Sequence, residues 1–460
     1  MRARIDWASA MPETLTKRPV SESPFRAPAV IFWVALGLRL AVILIGHTYK
    51  VSLEQANFKF GYEAGRIARA LVTGHGYANP FNGESGPTAW LPPLYPLLIA
   101  GVFKIFGVYT RGSAFVILAL NSLFSAAVVP AVYEIGARCF DAKGIGRRGS
   151  TKVAPVALWS AWVWAVYPAA LQYAIHWIWE MSLTAMLFGW VIVVALRLRG
   201  TGEREEGRGK REDVGRWVWF GGLWGLIALS NASLLLCFPA MMVWVAWPEL
   251  RAWRWEALRR DLVGVVLVGL VSVVVMTPWV VRNERVLHAF VPTRANLGIE
   301  FYNSTLPSNQ GLPWGTAMPL WPGDPVFQQY VQMGEVKFAA MRQKQGMENL
   351  RGEPRLFARW TVARILYFWE GTPHAPEGHP FLEYLRQLSY SFISLCGLMG
   401  LGLMLWRRVE GGGLLAVCFA LVPVPYYLVT VQPRFRHTLE PLIAVLAVYL
   451  FRSAGSKESD

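Results

Sequence analysis

FGYEAGRIARALVTGHGYANPFNGESGPTAWLPPLYPLLIAGVFKIFG, residues 60–107, decides how the whole chain is threaded. It begins as an acid-bearing amphipathic helix, passes through a Gly/Pro-rich loop and ends in an apolar run, 94–107, with Lys104 near its close. A helix needs roughly 20 apolar residues to cross a hydrocarbon core of about 30 Å. The run 94–107 is too short for that and reads as an interfacial or re-entrant helix. Counting it as a crossing would invert every later loop.

Composition supplies the setting. Of 460 residues, 54% are hydrophobic and only 16% charged, with 22 Trp and 24 Phe. Such a chain is too apolar and too aromatic to be soluble, and reads as an all-α polytopic membrane protein. A net charge of +15 would point a soluble protein towards nucleic acid. Here Lys and Arg stand in short loops between apolar runs, where they set orientation, and no nucleic-acid partner is expected. Cys139, Cys237, Cys396 and Cys418 lack CxxC spacing and read as packing residues.

Apolar runs at 29–46, 112–138, 153–173, 177–196, 217–230, 232–247, 262–281, 388–406, 414–431 and 439–451 give about ten crossings. The stretch before the first carries Arg2, Arg4, Lys17, Arg18 and Arg26. It is too long for the n-region of a cleaved signal, so the first run reads as a retained anchor. Dense basic clusters fall in loops 138–152, 197–216, 248–261 and 407–410, whereas the connections 173–177 and 230–232 have no Lys or Arg. The basic loops are therefore expected in the cytoplasm, with both termini. The short pair 217–230 and 232–247 is the weak point, because losing one arm would flip everything downstream.

The expected division is a cytoplasmic segment 1–28, a transmembrane core 29–281 with its first outer loop at 48–109, an outer lobe 282–387, transmembrane helices 388–452 and a cytoplasmic tail 453–460. The lobe opens turn-rich, NSTLPSNQGLPWGTAMPLWPGDP, and continues with helical patterns at 326–348 and 354–368. A small mixed lobe is expected. Its helix ARWTVARILYFWEG is amphipathic and suited to the bilayer surface, with Arg359 and Arg364 towards headgroups.

Several residues are candidates for chemistry. In GYEAGRIARALVTG, Tyr62, Glu63 and Arg66 share a charged helical face opposite Ile67, Ala70 and Leu71. The helix is either a wetted surface element or a carrier of Glu63 as general base in an outer cavity, with arginine offsetting phosphate charge. Glu180 is costly near the start of a span, and His176, four residues earlier, is expected on the same helical face. The pair reads as half of a divalent-metal site, a polar cavity lining or a structural hydrogen bond. Arg282, Asn283 and Glu300 follow a Pro-Trp anchor, and Arg434, Arg436 and His437 follow the span 414–431. These arginines either snorkel to headgroups or grip a lipid phosphate. Walker, HExxH and GxSxG patterns are absent. No cofactor is required by any motif, and a divalent metal stays open. Without a nucleotide fold, a donor would have to reach the site through the membrane.

YEAGRIARALVTGHGY followed by GPTAWLPPLYPLLIAGVFKIFG, then PWVVRNERVLHAFVPTRANLGIEFYNS, the GE of MGEVKFAAM and RFRHTLEPLIAVLA resemble the GT-C membrane glycosyltransferases. The resemblance is to the bacterial branch similar to protein mannosyltransferases, aminoarabinose lipid A transferases and Rgt-type lipopolysaccharide glycosyltransferases. It implies a GT-C fold in the bacterial inner membrane and a polyprenyl-phosphate sugar donor. The acceptor would be a lipid, glycan or protein hydroxyl of the envelope, with membrane lipids as surroundings. It places the family's outer-loop acid on Glu63, where most relatives carry Asp, one methylene shorter. A second polar position would fall near His176 and Glu180, and donor-phosphate arginines near Arg282 and Arg434 or Arg436. The competing class is a lipid or glycan flippase or transporter, which predicts mid-span charges and internal symmetry.

Overall fold

A computed structural model describes residues 27–51, 58–141, 155–199, 210–312, 318–373 and 380–454. The terminal segments 1–26 and 455–460, and the basic stretches 142–154 and 200–209, lie outside the described residues, and so do the orientation readings resting on them. Six described helices are long and apolar enough to cross a bilayer: α1 (Pro28–Ile45), α4 (Arg111–Phe140), α7 (Met181–Arg199), α9 (Ala232–Arg251), α10 (Trp255–Leu287) and α15 within Glu383–Trp406. Shorter apolar helices are α3 (Leu94–Phe106), α5 (Pro155–Val166) and α16 (Gly412–Leu428). α8 (Lys210–Ala228) and α17 (Glu440–Ala454) complete the bundle, and α2 (Glu63–Val72) lies in the first loop. The run 94–107 forms a helix of 13 residues, stopped by Gly107 at φ +88°.

Two features of the bundle depart from simple apolar periodicity. The run 153–173 is split at Tyr167 by Pro168, which opens α6 (Pro168–Ile175). Proline has no N–H to give the preceding turn, so carbonyls there lack their helical donors. Arg39, buried mid-helix in α1, supplies replacements: Nη1 donates to Ala165 O at 2.9 Å, Nη2 to Trp164 O at 3.4 Å, and Nε to Ser125 Oγ at 3.1 Å. A buried cation is thus spent on stapling α1, α4 and α5. The second departure is a non-helical stretch from His176 to Glu180. His176 and Glu180 consequently do not share a helical face, and the expected pairing is corrected: α6 ends at Ile175 and α7 begins at Met181.

The second loop folds into α11 (Leu297–Ser304), α12 (Pro325–Met333), α13 (Glu335–Gly352) and α14 (Pro354–Glu370). The expected mixed lobe is helical among the described residues, whose only bridge is Ala78 with Pro87. The pattern at 326–348 divides at Gly334, where φ +74° breaks the helix. Arg364 does not face headgroups. It is fully buried, donating from Nε to Tyr427 O at 2.7 Å and from Nη1 to Ser304 O at 3.2 Å, which docks α14 onto α16 and α11. Arg359 is exposed as expected.

First loop and lobe interlock. Phe81 and Trp90 pack with Ile299, Phe327, Tyr330 and Phe338 in a small core separate from that of the bundle. Glu335 sits at the centre of the joint, accepting from the Thr88 hydroxyl, from Ala89 N at 2.7 Å and from Tyr330 OH at 2.7 Å. Burial raises its pKa, which the three donors partly offset. The GE motif is therefore a clamp: the glycine turns the chain and the acid ties loop to lobe.

Candidate active site

Where loop and lobe meet the bundle, a cavity of about 510 Å³ opens. Glu63 from α2, Glu180 from the 176–180 break, Glu300 from α11 and Arg434 from the turn Pro433–Thr438 line it. Trp90, Trp179 and Tyr426 add aromatic walls, and Asn231, at the tip of the α8–α9 hairpin, adds an amide. Residues separated by several hundred positions are thereby gathered into one space.

Local backbone chemistry explains how Glu63 arrives there. Gly61 has φ +80°, and a Cβ on it would lie 2.3 Å from Ile178 O. Only glycine permits both the positive φ and this approach. The contact seats the start of α2 directly against the 176–180 break. Tyr62 follows at φ +41°, an uncommon value for a non-glycine residue, and Glu63 is the first residue of the helix. The break is held from behind by Asn121, which donates from Nδ2 to Trp177 O at 3.1 Å and accepts from Tyr95 OH at 3.1 Å.

Glu63 is reached by solvent through the cavity while the rest of its surroundings are protein. Burial raises its pKa, the charges of Arg434 and Arg66 pull it back, and Glu180 pushes it further up. Burial likewise raises Glu300, against Arg294 and Arg434 and with the added repulsion of Glu63. The acids feel one another, and Arg434 is a cation common to two of them. Such a site disfavours the simultaneous ionisation of Glu63 and Glu300.

The other candidates lie elsewhere. α2 is no wetted surface helix: Arg66 is 3% exposed, seated 4.1 Å from the Tyr62 ring and bonded to the Asn82 side chain. Asn82 also donates to Tyr62 OH at 3.3 Å and to Leu320 O at 3.0 Å. Tyr62 and Arg66 thus fasten the first loop to the lobe, outside the cavity. Arg282 donates to Thr88 O at 2.7 Å and Tyr77 O at 2.6 Å, and Asn283, fully buried, to Val291 O at 2.8 Å. Carbonyls occupy the donors expected to meet phosphate. Arg436 and His437 are buried with Glu440, Arg436 Nη2 at 3.3 Å and His437 Nδ1 at 2.5 Å from its carboxylate. Glu440, which sequence reading missed, explains why cations gather there. His176 is exposed and outside the cavity lining.

Glu63, Glu180, Glu300 and Arg434 are therefore the candidates that the cavity brings together. Trp90, Trp179, Asn231 and Arg294 join them without having been singled out as site residues. Trp179 adjoins Glu180 in the sequence WIWE, a signal available but weak in a chain so rich in tryptophan. Among the described residues no three His, Cys, Asp or Glu side chains form a metal-ligand set.

No family model matches the chain, and no curated protein matches it in sequence. Solved structures do match its fold. The oligosaccharyltransferase AglB from Archaeoglobus fulgidus, in complex with an inhibitory peptide and a dolichol-phosphate, is 14% identical with a TM-score of 0.51, over 94% of this chain and 50% of that one. An Archaeoglobus fulgidus oligosaccharyltransferase tethered to an acceptor peptide containing the NVT sequon gives 14%, 0.52, 94% and 50%. ArnT from Cupriavidus metallidurans, bound to undecaprenyl phosphate, is 15% identical over 93% of this chain and 79% of that one, but its TM-score of 0.37 carries no argument. The chain spans about half the length of the oligosaccharyltransferases it matches. At this identity the likeness shows the fold alone: an all-α architecture, with several helices of membrane-crossing length, like that of the oligosaccharyltransferases from Archaeoglobus fulgidus.

Proposed function

We propose that the chain is a membrane glycosyltransferase moving a sugar from a polyprenyl-phosphate carrier to a hydroxyl of an envelope lipid, glycan or protein. The setting in this reading is the outer face of a bacterial inner membrane. One observation carries it: a fold like that of the oligosaccharyltransferases holds a cavity in which the buried acid of the first loop, Glu63, faces the arginine of the last loop, Arg434. Glu63 takes the acceptor proton, and the oxygen attacks the anomeric carbon. The bond from that carbon to the phosphate oxygen breaks, and the lipid phosphate leaves with the electron pair, its charge offset by Arg434. Attack opposite the leaving group inverts the anomeric centre. Glu180 and Glu300 tune the base and offer acceptors to sugar hydroxyls.

A transporter would use ionisable groups free to change partners along the bundle. The fully buried cations Arg39 and Arg436 are tied to carbonyls and to Glu440, which favours the enzyme. The test is release of free polyprenyl phosphate when the purified chain meets polyprenyl-phosphate sugars and a membrane extract supplying acceptors. Acceptor-dependent release supports the proposal; no release from any such donor overturns it.

A further inference from the structure

Trp179 belongs to the cavity wall, one residue before Glu180. The guanidinium carbon of Arg434 lies 4.2 Å from the centre of its ring, and Trp177 stacks on it with centroids 4.6 Å apart and 11° between planes. The platform is fixed by its neighbours on both sides: Trp177 O accepts from Asn121, and Ile178 O lies against Gly61. Arg434 also lies 5.3 Å from the centre of the adjoining Phe435 ring. Its Nε is buried without a hydrogen-bond partner among the described residues, and it forms no ion pair with the cavity carboxylates there.

An arginine without an ion pair among three carboxylates is unusual on physical grounds. A guanidinium placed among Glu63, Glu180 and Glu300 would gain most by closing onto one of them, which would cancel its charge towards any ligand. The indole offers a competing seat, since a cation over an aromatic face is stabilised without consuming its N–H donors. Arginine's planar fork suits this arrangement, and a lysine ammonium does not reproduce it.

We propose that Trp179 is a positioning residue for Arg434. It seats the guanidinium clear of the cavity carboxylates, so that its fork stays available to a phosphate-bearing headgroup. This rests on Arg434 being the phosphate partner in the function proposed above. Trp179 acts through Arg434, so its contribution depends on the fork being present.

The test uses the full chain in nanodiscs and the probes undecaprenyl phosphate and undecaprenol, with binding measured by titration. The unmutated chain binds the phosphate lipid more tightly than the alcohol. Trp179→Leu weakens phosphate-lipid binding about tenfold and leaves alcohol binding unchanged, while Trp179→Phe, which keeps an aromatic face, restores most of the loss. In an Arg434→Lys background, Trp179→Leu adds little, the non-additivity expected of two groups acting as one. Equal weakening of both lipids, or an undiminished effect of Trp179→Leu in the Arg434→Lys background, overturns the positioning role. No preference for the phosphate lipid in the unmutated chain instead overturns the phosphate reading of Arg434.

Discussion

Arg434 and Arg436 stand two residues apart in one turn and lead opposite lives. Arg434 lines an open cavity, rests on an indole and leaves its charge uncancelled among carboxylates. Arg436 is fully buried, its Nη groups on Tyr390 O at 3.1 Å, the Ser394 hydroxyl and the Glu440 carboxylate, and its Nε, like that of Arg434, has no hydrogen-bond partner among the described residues. Both regions place arginine near glutamate, and only one leaves the arginine without an ion pair. Residue type therefore does not identify a site. What identifies it is whether the charge is already matched by an ion pair, and a charge inside a dry core is tolerated only when it is.

The largest effect is expected in the core. Glu440→Gln leaves Arg436 buried without its counter-charge and should cost about 3–5 kcal/mol of stability, read as a lower unfolding temperature in detergent. Replacing Arg436 and Glu440 together by leucine should recover much of that loss. Transfer per folded molecule should survive these changes far better than it survives changes in the cavity, and equal sensitivity of both regions would erase the distinction drawn here.

On the cavity side the effects should appear in kinetics. Arg434→Gln should raise the donor KM roughly tenfold or more, in line with a lost charge-assisted hydrogen bond. It also removes a charge that lowers the Glu63 pKa, so the acid limb of the pH profile should move to higher pH. Glu180→Gln makes a smaller change of opposite sign. It removes a charge that raises Glu63, and the acid limb should fall towards the ordinary glutamate range. A profile of kcat/KM against pH for the two variants checks both directions, and shifts of the same sign would break the account of the cavity field.

Much of the bundle was legible because apolar length is a direct physical requirement of crossing a bilayer. α1, α4, α10 and α15 fall close to the runs read from the sequence, and 94–107 is the short helix its length implied. The connection between α6 and α7 was read at 173–177 and lies at 176–180, where Asn121 and Gly61, remote in the chain, hold it; His176 and Glu180 were nonetheless placed on one helical face. Arg282 was misread for a similar reason: its acceptors, Thr88 O and Tyr77 O, lie 194 and 205 positions away. Arg39 could have been noticed, being a costly cation within an apolar run, but the carbonyls that hold it follow from Pro168 in another helix. Glu63 and Arg434 were read as candidates from residue type and place, and the fold adds their common cavity.

The central claim is that Glu63 acts as the base in that cavity, and Glu63→Gln tests it most directly. The variant keeps the size and hydrogen-bonding shape of the side chain and removes its ability to take a proton. The measurement is sugar transfer and undecaprenyl phosphate binding on the same purified preparation. Transfer should fall by about 10²–10⁴-fold, the range for loss of a general base, while binding and unfolding temperature stay as in the unmutated chain. Full transfer by Glu63→Gln would contradict the account.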